Sequence, residues 1–276
     1  MIAIKDLHFS YSKNQALFQG LHLNLELGKI YGLLGKNGTG KSSLLKLING
    51  VIFPNGGDVS VNSFQSSSRT PRMLEQIFFL SEDFYLPPVT PHNFAKAYGS
   101  FYSAFDKAKF EEIMNSFEVP QNQKLTKLSL GQKKKIAIAF GLATNAKYLL
   151  LDEPTNGLDI PSKSQFRKVI AAGFRDDQVV VISTHQIRDL SNLIESVIII
   201  EDGKIIFNKD VFEIEEKILF AKSLSRDTFE ASLYSELVGA GYIHMMANHD
   251  KEPCEVELEV LFNAILSDKE LVQKQF

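Results

Sequence analysis

The sequence has little cysteine and little net charge. Cys254 is the one cysteine among 276 residues, and a lone thiol forms neither an intrachain disulfide nor a zinc site of several thiolates. The composition therefore suits a reducing compartment, and the cytoplasm is the expectation. The formal net charge is −3, from 30 basic and 33 acidic side chains. Proteins that bind the backbone of DNA or RNA usually carry a basic excess, so we do not expect nucleic acid as the main partner.

Long hydrophobic runs are missing as well. The longest apolar stretches, such as residues 136–140 and 197–200, are far shorter than the roughly 18 to 20 residues that cross a bilayer. Lys5 and Asp6 interrupt the first residues, so we expect no secretory signal. With 44% hydrophobic and 23% charged residues, the chain is typical of a soluble globular protein of one or two domains. Any membrane role would come through a partner chain.

The first third of the chain predicts a strand, a glycine-rich loop and a helix in succession. Leucines alternate with polar residues over 21–27, which indicates a half-buried antiparallel strand. Residues 30–34 form a nearly continuous apolar run, as in a strand covered on both faces. Residues 42–49 carry leucines at helical spacing, and Gly50 stands where a left-handed C-terminal cap would lie.

Later segments predict further strands and a helical region. A turn at 54–57 predicts a hairpin that joins 51–53 to 58–61. Thr90 and Pro91 predict the start of a helical region that runs to about residue 119. Buried strands at 148–151, 179–183 and 196–200 alternate with helical stretches, which favours a parallel sheet. From about residue 208 the pattern weakens into mixed helix and possible strands.

The glycine-rich loop matches a phosphate-binding motif. Residues 35–42 read Gly-Lys-Asn-Gly-Thr-Gly-Lys-Ser, which fits G-x-x-x-x-G-K-[ST] between a strand and a helix. The glycines let backbone N–H groups surround a β-phosphate, Lys41 reaches the β and γ oxygens, and Ser42 offers a hydroxyl to Mg²⁺. The alternative is a glycine-rich turn with an exposed lysine.

Two carboxylates end the predicted strand at 148–151. Alternation sends the side chains of Asp152 and Glu153 in different directions. One can hold Mg²⁺ while its neighbour activates the water that attacks a γ-phosphate, so we assign the metal to Asp152 and the base to Glu153. The alternative is a solvated acidic turn.

Several motifs together resemble those of the ATP-binding-cassette (ABC) ATPases. Residues 128–132, LSLGQ, resemble the family signature LSGGQ, and residues 148–159, YLLLDEPTNGLD, look like its Walker B, glutamate and D-loop run. His185 in ISTHQ matches the switch histidine of the family. Without the resemblance, we would interpret His185 as a histidine at the end of a strand, hydrogen-bonded to the backbone. Tyr11 is similar to the aromatic residue that stacks on adenine. The resemblance covers about residues 1–208, with the motifs in family order.

The resemblance implies an α/β P-loop NTPase (ABC ATPase) fold, with an antiparallel β subdomain, a mixed core sheet and an α-helical subdomain. It places the nucleotide-binding domain at 1–208, with the helical subdomain at about 88–140, and leaves 209–276 as an extension of open role. It also implies a head-to-tail dimer, a homodimer or a pair with a second cassette, in which the signature of one subunit completes the nucleotide site of the other. A separate transmembrane permease subunit would be the second partner.

Two positions depart from the family pattern. Leu130 replaces the first signature glycine, which keeps the backbone donor and adds a side chain that must point away from the phosphate. Glu82 stands where the Q-loop glutamine is expected. A carboxylate can still approach Mg²⁺, but it adds negative charge beside a triphosphate and donates no hydrogen bond when ionised. A minority of single-cassette exporter subunits carry glutamate there, which favours export.

The resemblance and the residue chemistry together give the predicted site. The predicted catalytic residues are Glu153, His185 and Glu82, and the predicted Mg²⁺ ligands are Ser42, Asp152 and Glu82. The predicted ATP-binding residues are Tyr11, Gly35, Lys36, Asn37, Gly38, Thr39, Gly40, Lys41, Ser42, Ser43, Ser129, Gly131, Gln132 and Asp159.

Other features receive no function from the sequence. Lys133, Lys134 and Lys135 are interpreted as a solvated helix face. Cys254 with His244 and His249 lacks the ligand count of a zinc site, so these are interpreted as surface residues. The aromatic residues between 98 and 117 are expected to pack the helical subdomain, and some to form a groove for a membrane-protein helix.

The predicted function is that of the ATP-binding and ATP-hydrolysing subunit of an ABC membrane transporter that favours export. The protein would lie on the inner face of the cell membrane through its partner. Two alternatives stay open: a soluble ABC-type ATPase of translation or DNA repair, and a nucleotide-binding regulator that does not hydrolyse.

Overall fold

The computed structural model describes residues 1–12, 15–190, 192–229 and 232–276. Its strands are β1 (Ile2–Ser12), β2 (Gln15–Leu25), β3 (Lys29–Leu34), β4 (Gly56–Val61), β5 (Phe64–Gln65), β6 (Ile77–Leu80), β7 (Tyr148–Asp152), β8 (Val179–Thr184), β9 (Ser196–Glu201), β10 (Lys204–Asp210), β11 (Ile218–Ser223), β12 (Tyr234–Val238) and β13 (Gly241–Ala247). Its α-helices are α1 (Lys41–Ile48), α2 (Pro71–Leu74), α3 (Pro91–Gly99), α4 (Lys107–Ser116), α5 (Leu130–Ala143), α6 (Ile160–Gly173), α7 (Val211–Lys217), α8 (Leu258–Ser267) and α9 (Lys269–Gln273).

A six-stranded sheet in the order β10-β9-β3-β8-β7-β6 forms the centre of the molecule. Its neighbours are parallel except β10, which runs antiparallel to β9. Strands β7 and β8 are buried along their whole length, as expected of apolar strands covered on both faces. The strands predicted at 30–34, 148–151, 179–183 and 196–200 are therefore confirmed. Parallel strands bring the ends of β3, β7 and β8 to one edge of the sheet.

An antiparallel sheet in the order β2-β1-β4-β5 packs beside the phosphate loop. The strand predicted at 21–27 is confirmed in part: β2 starts earlier, at Gln15, and ends at Leu25. The predicted hairpin between 51–53 and 58–61 is wrong, because β4 pairs with β1 and β5 instead. The reason lies at Gly57, where φ is +77° and an added Cβ would come within 2.0 Å of the Asp6 carbonyl oxygen. The glycine serves the close approach of β4 to β1 rather than a tight turn.

The predicted helical region divides into α3 and α4, with α5 packed against both. Thr90 caps α3 as predicted, since its Oγ1 accepts a hydrogen bond from the Asn93 backbone N–H. Aromatic rings form the core of this subdomain. Phe140 of α5 is its centre, with ring centroids 4.8 Å from Phe94 and 5.2 Å from Phe105.

The last part of the chain forms a three-stranded sheet, β11-β13-β12, with α8 and α9. Met245 of β13 and Leu261 of α8 belong to the same buried cluster as Val197 and Ile199 of the central sheet. Because β10 continues to Asp210, the predicted boundary at residue 208 falls inside a strand of that sheet; the division into a domain and an extension stays a prediction. In the described part of the chain, no helix has the length and apolar character to cross a membrane.

Candidate active site

The phosphate loop connects β3 to α1 and depends on its glycines. An added Cβ at Gly35 would lie 2.6 Å from the Ile200 carbonyl oxygen, and one at Gly40 would lie 2.7 Å from the Phe18 ring. Gly38 and Gly40 both have positive φ, of +84° and +107°, which side chains disfavour. No side chain caps α1. Its first backbone N–H groups therefore suit an anion, as at other helix N-termini.

A cavity of about 630 Å³ lies against this loop. One wall comes from the loop and α1, another from β1 and β2, and a third from the segments that follow β6, β7 and β8. The lining residues are Tyr11, Ser12, Gln15, Ala16, Leu17, Asn37, Gly38, Gly40, Lys41, Ser42, Ser43, Glu82, Glu153, Asn156 and His185.

Lys41 is buried at the base of this cavity, with 6% of its surface exposed. Its Nζ donates hydrogen bonds to the carbonyl oxygens of Gly35, at 2.7 Å, and Lys36, at 3.0 Å. The same atom lies 3.9 Å from Glu153 Oε1. Burial lowers the pKa of Lys41, while the nearby carboxylates, led by that of Glu153, act in the opposite direction. The loop is therefore not a turn with an exposed lysine.

Glu153 follows β7 and is 4% exposed. Its Oε1 lies 2.8 Å from His185 Nδ1, and its Oε2 accepts a hydrogen bond from Thr184 Oγ1 at 3.3 Å. Its backbone has φ +46°, a left-handed conformation that is uncommon for residues other than glycine and that clusters at functional sites. The solvated acidic turn is thus excluded, and the ring of His185 is bound by a carboxylate rather than only by backbone.

Asp152, the last residue of β7, is 2% exposed. Its Oδ1 accepts a hydrogen bond from Ser183 Oγ of β8 at 2.5 Å, and it does not itself line the cavity. Glu82 does line the cavity, and its Oε1 accepts a hydrogen bond from Asn156 Nδ2 at 2.9 Å. In the residues that the structure describes, no group of three or more His, Cys, Asp or Glu side chains forms a preformed metal site.

Tyr11 lies at the opening of the cavity with 65% of its surface exposed. Its hydroxyl is 2.9 Å from Ser43 Oγ of α1. Its ring stands edge-on to Phe9, with the centroids 4.8 Å apart. An exposed ring held from both sides in this way can present a face to a flat ligand.

The signature residues lie away from their own chain's cavity. Ser129 caps α5 and forms a capping box with Gln132, while Leu130 is 59% exposed. Asp159 caps α6 by accepting the Ser162 backbone N–H at 2.9 Å, and hydrogen bonds from Ser162 lower its pKa. Four of the predicted nucleotide-binding residues line no part of the cavity: Ser129, Gly131, Gln132 and Asp159. Three residues of the phosphate loop do not line it either: Gly35, Lys36 and Thr39.

Two residues that the sequence analysis left without a function are buried, although they were predicted to be exposed. Lys134 is 2% exposed rather than solvated, because it shares the face of α5 that carries the buried residues Ala137 and Ile138. That helical spacing is the sequence signal that would have found it. His244 is fully buried in β13. Its ring nitrogens lie within 2.7 to 3.2 Å of three serine hydroxyls, which satisfy the buried ring. Asn156 in the cavity wall was also missed.

Comparison with known proteins places the chain in a family. The family model for ABC transporters matches residues 18–156. The chain belongs to the ABC transporter family. It is similar to the ABC transporter ATP-binding protein NatA of Bacillus subtilis (strain 168), with 30% identity over 192 residues, which cover 67% of this chain and 78% of that protein. It is also similar to the lantibiotic transport ATP-binding protein SrtF of Streptococcus pyogenes, with 29% identity over 224 residues, 76% of this chain and 91% of SrtF.

Solved structures agree on the fold. The ATP-binding subunit of an ABC transporter superposes with a TM-score of 0.69 at 20% identity and covers 78% of this chain and 92% of its own. A dimeric bacterial ABC transporter cassette superposes with a TM-score of 0.67 at 24% identity, over 76% of this chain and 98% of its own. The predicted fold class is confirmed. From the family match, the chain is the ATP-binding subunit of an ABC transporter and an ATPase, which decides against a soluble ABC-type ATPase of translation or DNA repair.

Proposed function

We propose that the cavity is where this subunit binds and hydrolyses ATP, with Glu153 as the general base. The observation that carries the proposal is the position of the Glu153 carboxylate, held by His185 and Thr184 and 3.9 Å from the buried Lys41 ammonium. Lys41 and the loop N–H groups would bind the β- and γ-phosphates, and Tyr11 would stack on adenine. Glu153 would polarise the attacking water, while His185 contacts the γ-phosphate.

We further propose that the site takes Mg²⁺ together with ATP. Mg²⁺ prefers oxygen ligands and is usually bound by one or two carboxylates plus substrate phosphates, rather than by a protein cage. Ser42, Asp152 and Glu82 offer such oxygens, and the lack of a preformed cluster in the described chain fits a metal that enters with the nucleotide. When bound, the ion would neutralise charge on the β- and γ-phosphate oxygens.

A second copy of an ABC cassette, identical or different, would complete the site. Ser129 and Gly131 stand at the N-terminus of the 14-residue helix α5, a position that favours a phosphate group. They line no part of their own cavity, which supports a nucleotide on the partner as their ligand. ABC cassettes dimerise, and we propose the head-to-tail arrangement in which Asp159 lies at the junction.

An aromatic groove supports the proposed permease contact. A cavity of about 540 Å³ lies between the helical subdomain and the segment that contains Glu82. Its lining includes the exposed rings of Tyr85 and Phe101 with the buried Phe94 and Phe140. Such a surface fits the apolar face of a helix from a transmembrane subunit. We propose that this contact holds the protein at the inner face of the cell membrane and that Glu82 links it to the nucleotide.

Export is the proposed direction of transport. SrtF is described as a lantibiotic transport protein, and the glutamate at position 82 occurs in a minority of single-cassette exporters. We also propose residues 1–208 as the nucleotide-binding domain and 209–276 as an extension. The shared hydrophobic core of the two parts supports an extension that stabilises the cassette or takes part in regulation, dimerisation or docking.

Phosphate release by the purified chain tests the proposed base. Glu153→Gln keeps the size of the side chain and removes the carboxylate, so we expect turnover to fall by about 10² to 10⁴. ATP affinity, measured by fluorescent-nucleotide titration, should stay within about threefold because Lys41 and the loop are unchanged. Turnover within threefold of the parent's would contradict the role of Glu153.

A further inference from the structure

Lys134 is a buried cation that lies next to the proposed site. It is the second of the three lysines that follow the signature, and 2% of its surface is exposed. Its Nζ donates hydrogen bonds to the carbonyl oxygens of Glu153 and Asn156, at 2.7 Å each. An ammonium group is rarely buried unless it is paired, because removal from water costs free energy. Its place in the fold therefore needs an explanation that a solvated helix face does not give.

The two carbonyl groups belong to the segment that positions the base. Glu153 has the left-handed backbone of φ +46°, and Asn156 begins the D-loop that continues to Asp159. The direction of the backbone at Glu153 determines where its carboxylate points, so a donor that fixes both carbonyls also fixes the carboxylate beside His185. Lys134 itself does not line the ATP cavity.

Several carboxylates act on the Lys134 ammonium, although its direct hydrogen bonds go to carbonyl oxygens. Burial lowers its pKa, and the carboxylates of Glu82, Glu153, Asp152 and Asp83 oppose that effect. Glu82 is joined to Lys134 through Asn156, whose Nδ2 donates to Glu82 Oε1 at 2.9 Å. Glu82, Asn156 and Lys134 also line one side cavity of about 470 Å³. A positive charge so placed offsets the extra negative charge that Glu82 brings to the site.

We propose that Lys134 is a positioning residue for ATP hydrolysis, which fixes the backbone of Glu153 and the D-loop against α5 and supplies the charge that offsets the Glu82 carboxylate. The inference rests on the proposed role of Glu153 as the base. Because α5 also carries Ser129 and Gly131 at its start, the same lysine connects the surface that faces the partner's nucleotide to the base of its own site.

The positioning role is tested with Lys134→Met, which keeps an unbranched apolar side chain of nearly the same length and removes every donor. We expect turnover to fall at least tenfold, about 1.4 kcal/mol of barrier, while the Kd for ATP stays within threefold. The matched control is Lys133→Gln, one residue earlier on α5, for which turnover within threefold of the parent's is expected. Turnover of Lys134→Met within threefold of the parent's, or an equal loss of ATP affinity and turnover, would overturn the inference.

The charge role is tested by a double-mutant cycle. Lys134→Gln keeps two N–H donors and loses the charge, so we expect lower turnover while Glu82 is present. Glu82→Gln should then raise turnover in the Lys134→Gln background at least threefold more than in the parent. Equal effects of Glu82→Gln in the two backgrounds would overturn the charge role.

The same measurements separate this inference from the proposed function. A purified parent chain that releases no phosphate from ATP contradicts the proposed function. If the parent is active and Lys134→Met is equally active, the inference about Lys134 is contradicted and the proposed function is not. If circular dichroism shows that Lys134→Met does not fold, the Lys134→Gln cycle decides, since the Gln amide keeps two N–H donors for the carbonyl oxygens of Glu153 and Asn156.

Discussion

Lys41 and Glu153 lie 3.9 Å apart, and both are almost fully buried. Charged groups are costly to bury, and an ion pair of this kind is weak evidence for stability, because desolvation can exceed the attraction between the charges. Its position at the base of a cavity, beside the left-handed backbone of Glu153, supports the proposed catalytic role. A lysine whose pKa is lowered by burial, at the base of a cleft, is typical of functional sites.

Removal of the Lys41 ammonium should weaken nucleotide binding itself. In Lys41→Ala we expect the Kd for ATP to rise at least tenfold, because the buried donor that we propose for the phosphates is lost. The measurement is fluorescent-nucleotide titration of the purified variant. Lys46→Ala, on the same helix but outside the cavity lining, is the matched control and should bind ATP as the parent does. Equal affinity of Lys41→Ala and the parent would refute the assignment of the phosphate loop.

At the residue scale, the functional residues that belong to a sequence motif could be predicted. Residues that reach the site only through the packing of the helices could not. Lys41, Glu153 and His185 were identified, and the structure brings them to one cavity. Lys134 was interpreted as solvated because a run of three lysines usually faces water. Its burial depends on how α5 is rotated against the end of β7, which only the apolar residues at i+3 and i+4 indicate.

At the start of α5, a substitution can change the proposed function without changing the fold. An added Cβ at Gly131 would lie 3.6 Å from the Gly157 carbonyl oxygen and from a Leu158 methyl group, which is ordinary contact. At Gly35 the same addition would come within 2.6 Å of the Ile200 carbonyl oxygen. The signature glycine is thus not required by the fold of its own chain, whereas the loop glycine is.

Gly131→Ala should therefore fold normally and hydrolyse ATP poorly. We expect its melting temperature to stay within about 2 °C of the parent's, and turnover to fall at least tenfold, because the methyl group would meet the nucleotide that we propose on the partner. Circular dichroism and phosphate release are the measurements. Gly35→Ala is the contrasting variant, in which the melting temperature itself should fall. Full activity of Gly131→Ala would argue against the proposed contact of the signature.

Elements with a strong local pattern were predicted and those with a distant partner were not. The apolar runs of β3, β7, β8 and β9 predicted four of the six strands of the central sheet, whereas β6 and β10 were not predicted. The turn at 54–57 looked like a hairpin, yet β4 pairs with β1, more than 45 residues away in sequence. Local turn residues do not record such long-range pairing, which packing decides.

At the scale of the whole molecule, the residues that we propose for nucleotide binding lie in two separate places on the chain. The phosphate loop, Glu153 and His185 line the cavity, while Ser129 and Asp159 cap helices outside it. The family resemblance predicted this separation, and the monomer is consistent with it. The part of the chain after residue 208 was the least predictable, since the packing of β13 and α8 onto the central sheet leaves no motif in the sequence.

The mass of Glu153→Gln in saturating ATP and Mg²⁺ tests the central claim most directly. If ATP bridges two protomers and hydrolysis releases them, this variant should elute in size-exclusion chromatography with light scattering at twice the chain mass of 31.0 kDa. Glu153→Gln should elute as a monomer when nucleotide is left out. The double variant Glu153→Gln/Lys41→Ala should elute as a monomer even with ATP present. A single-chain mass for Glu153→Gln, with ATP shown to be bound, would contradict the account.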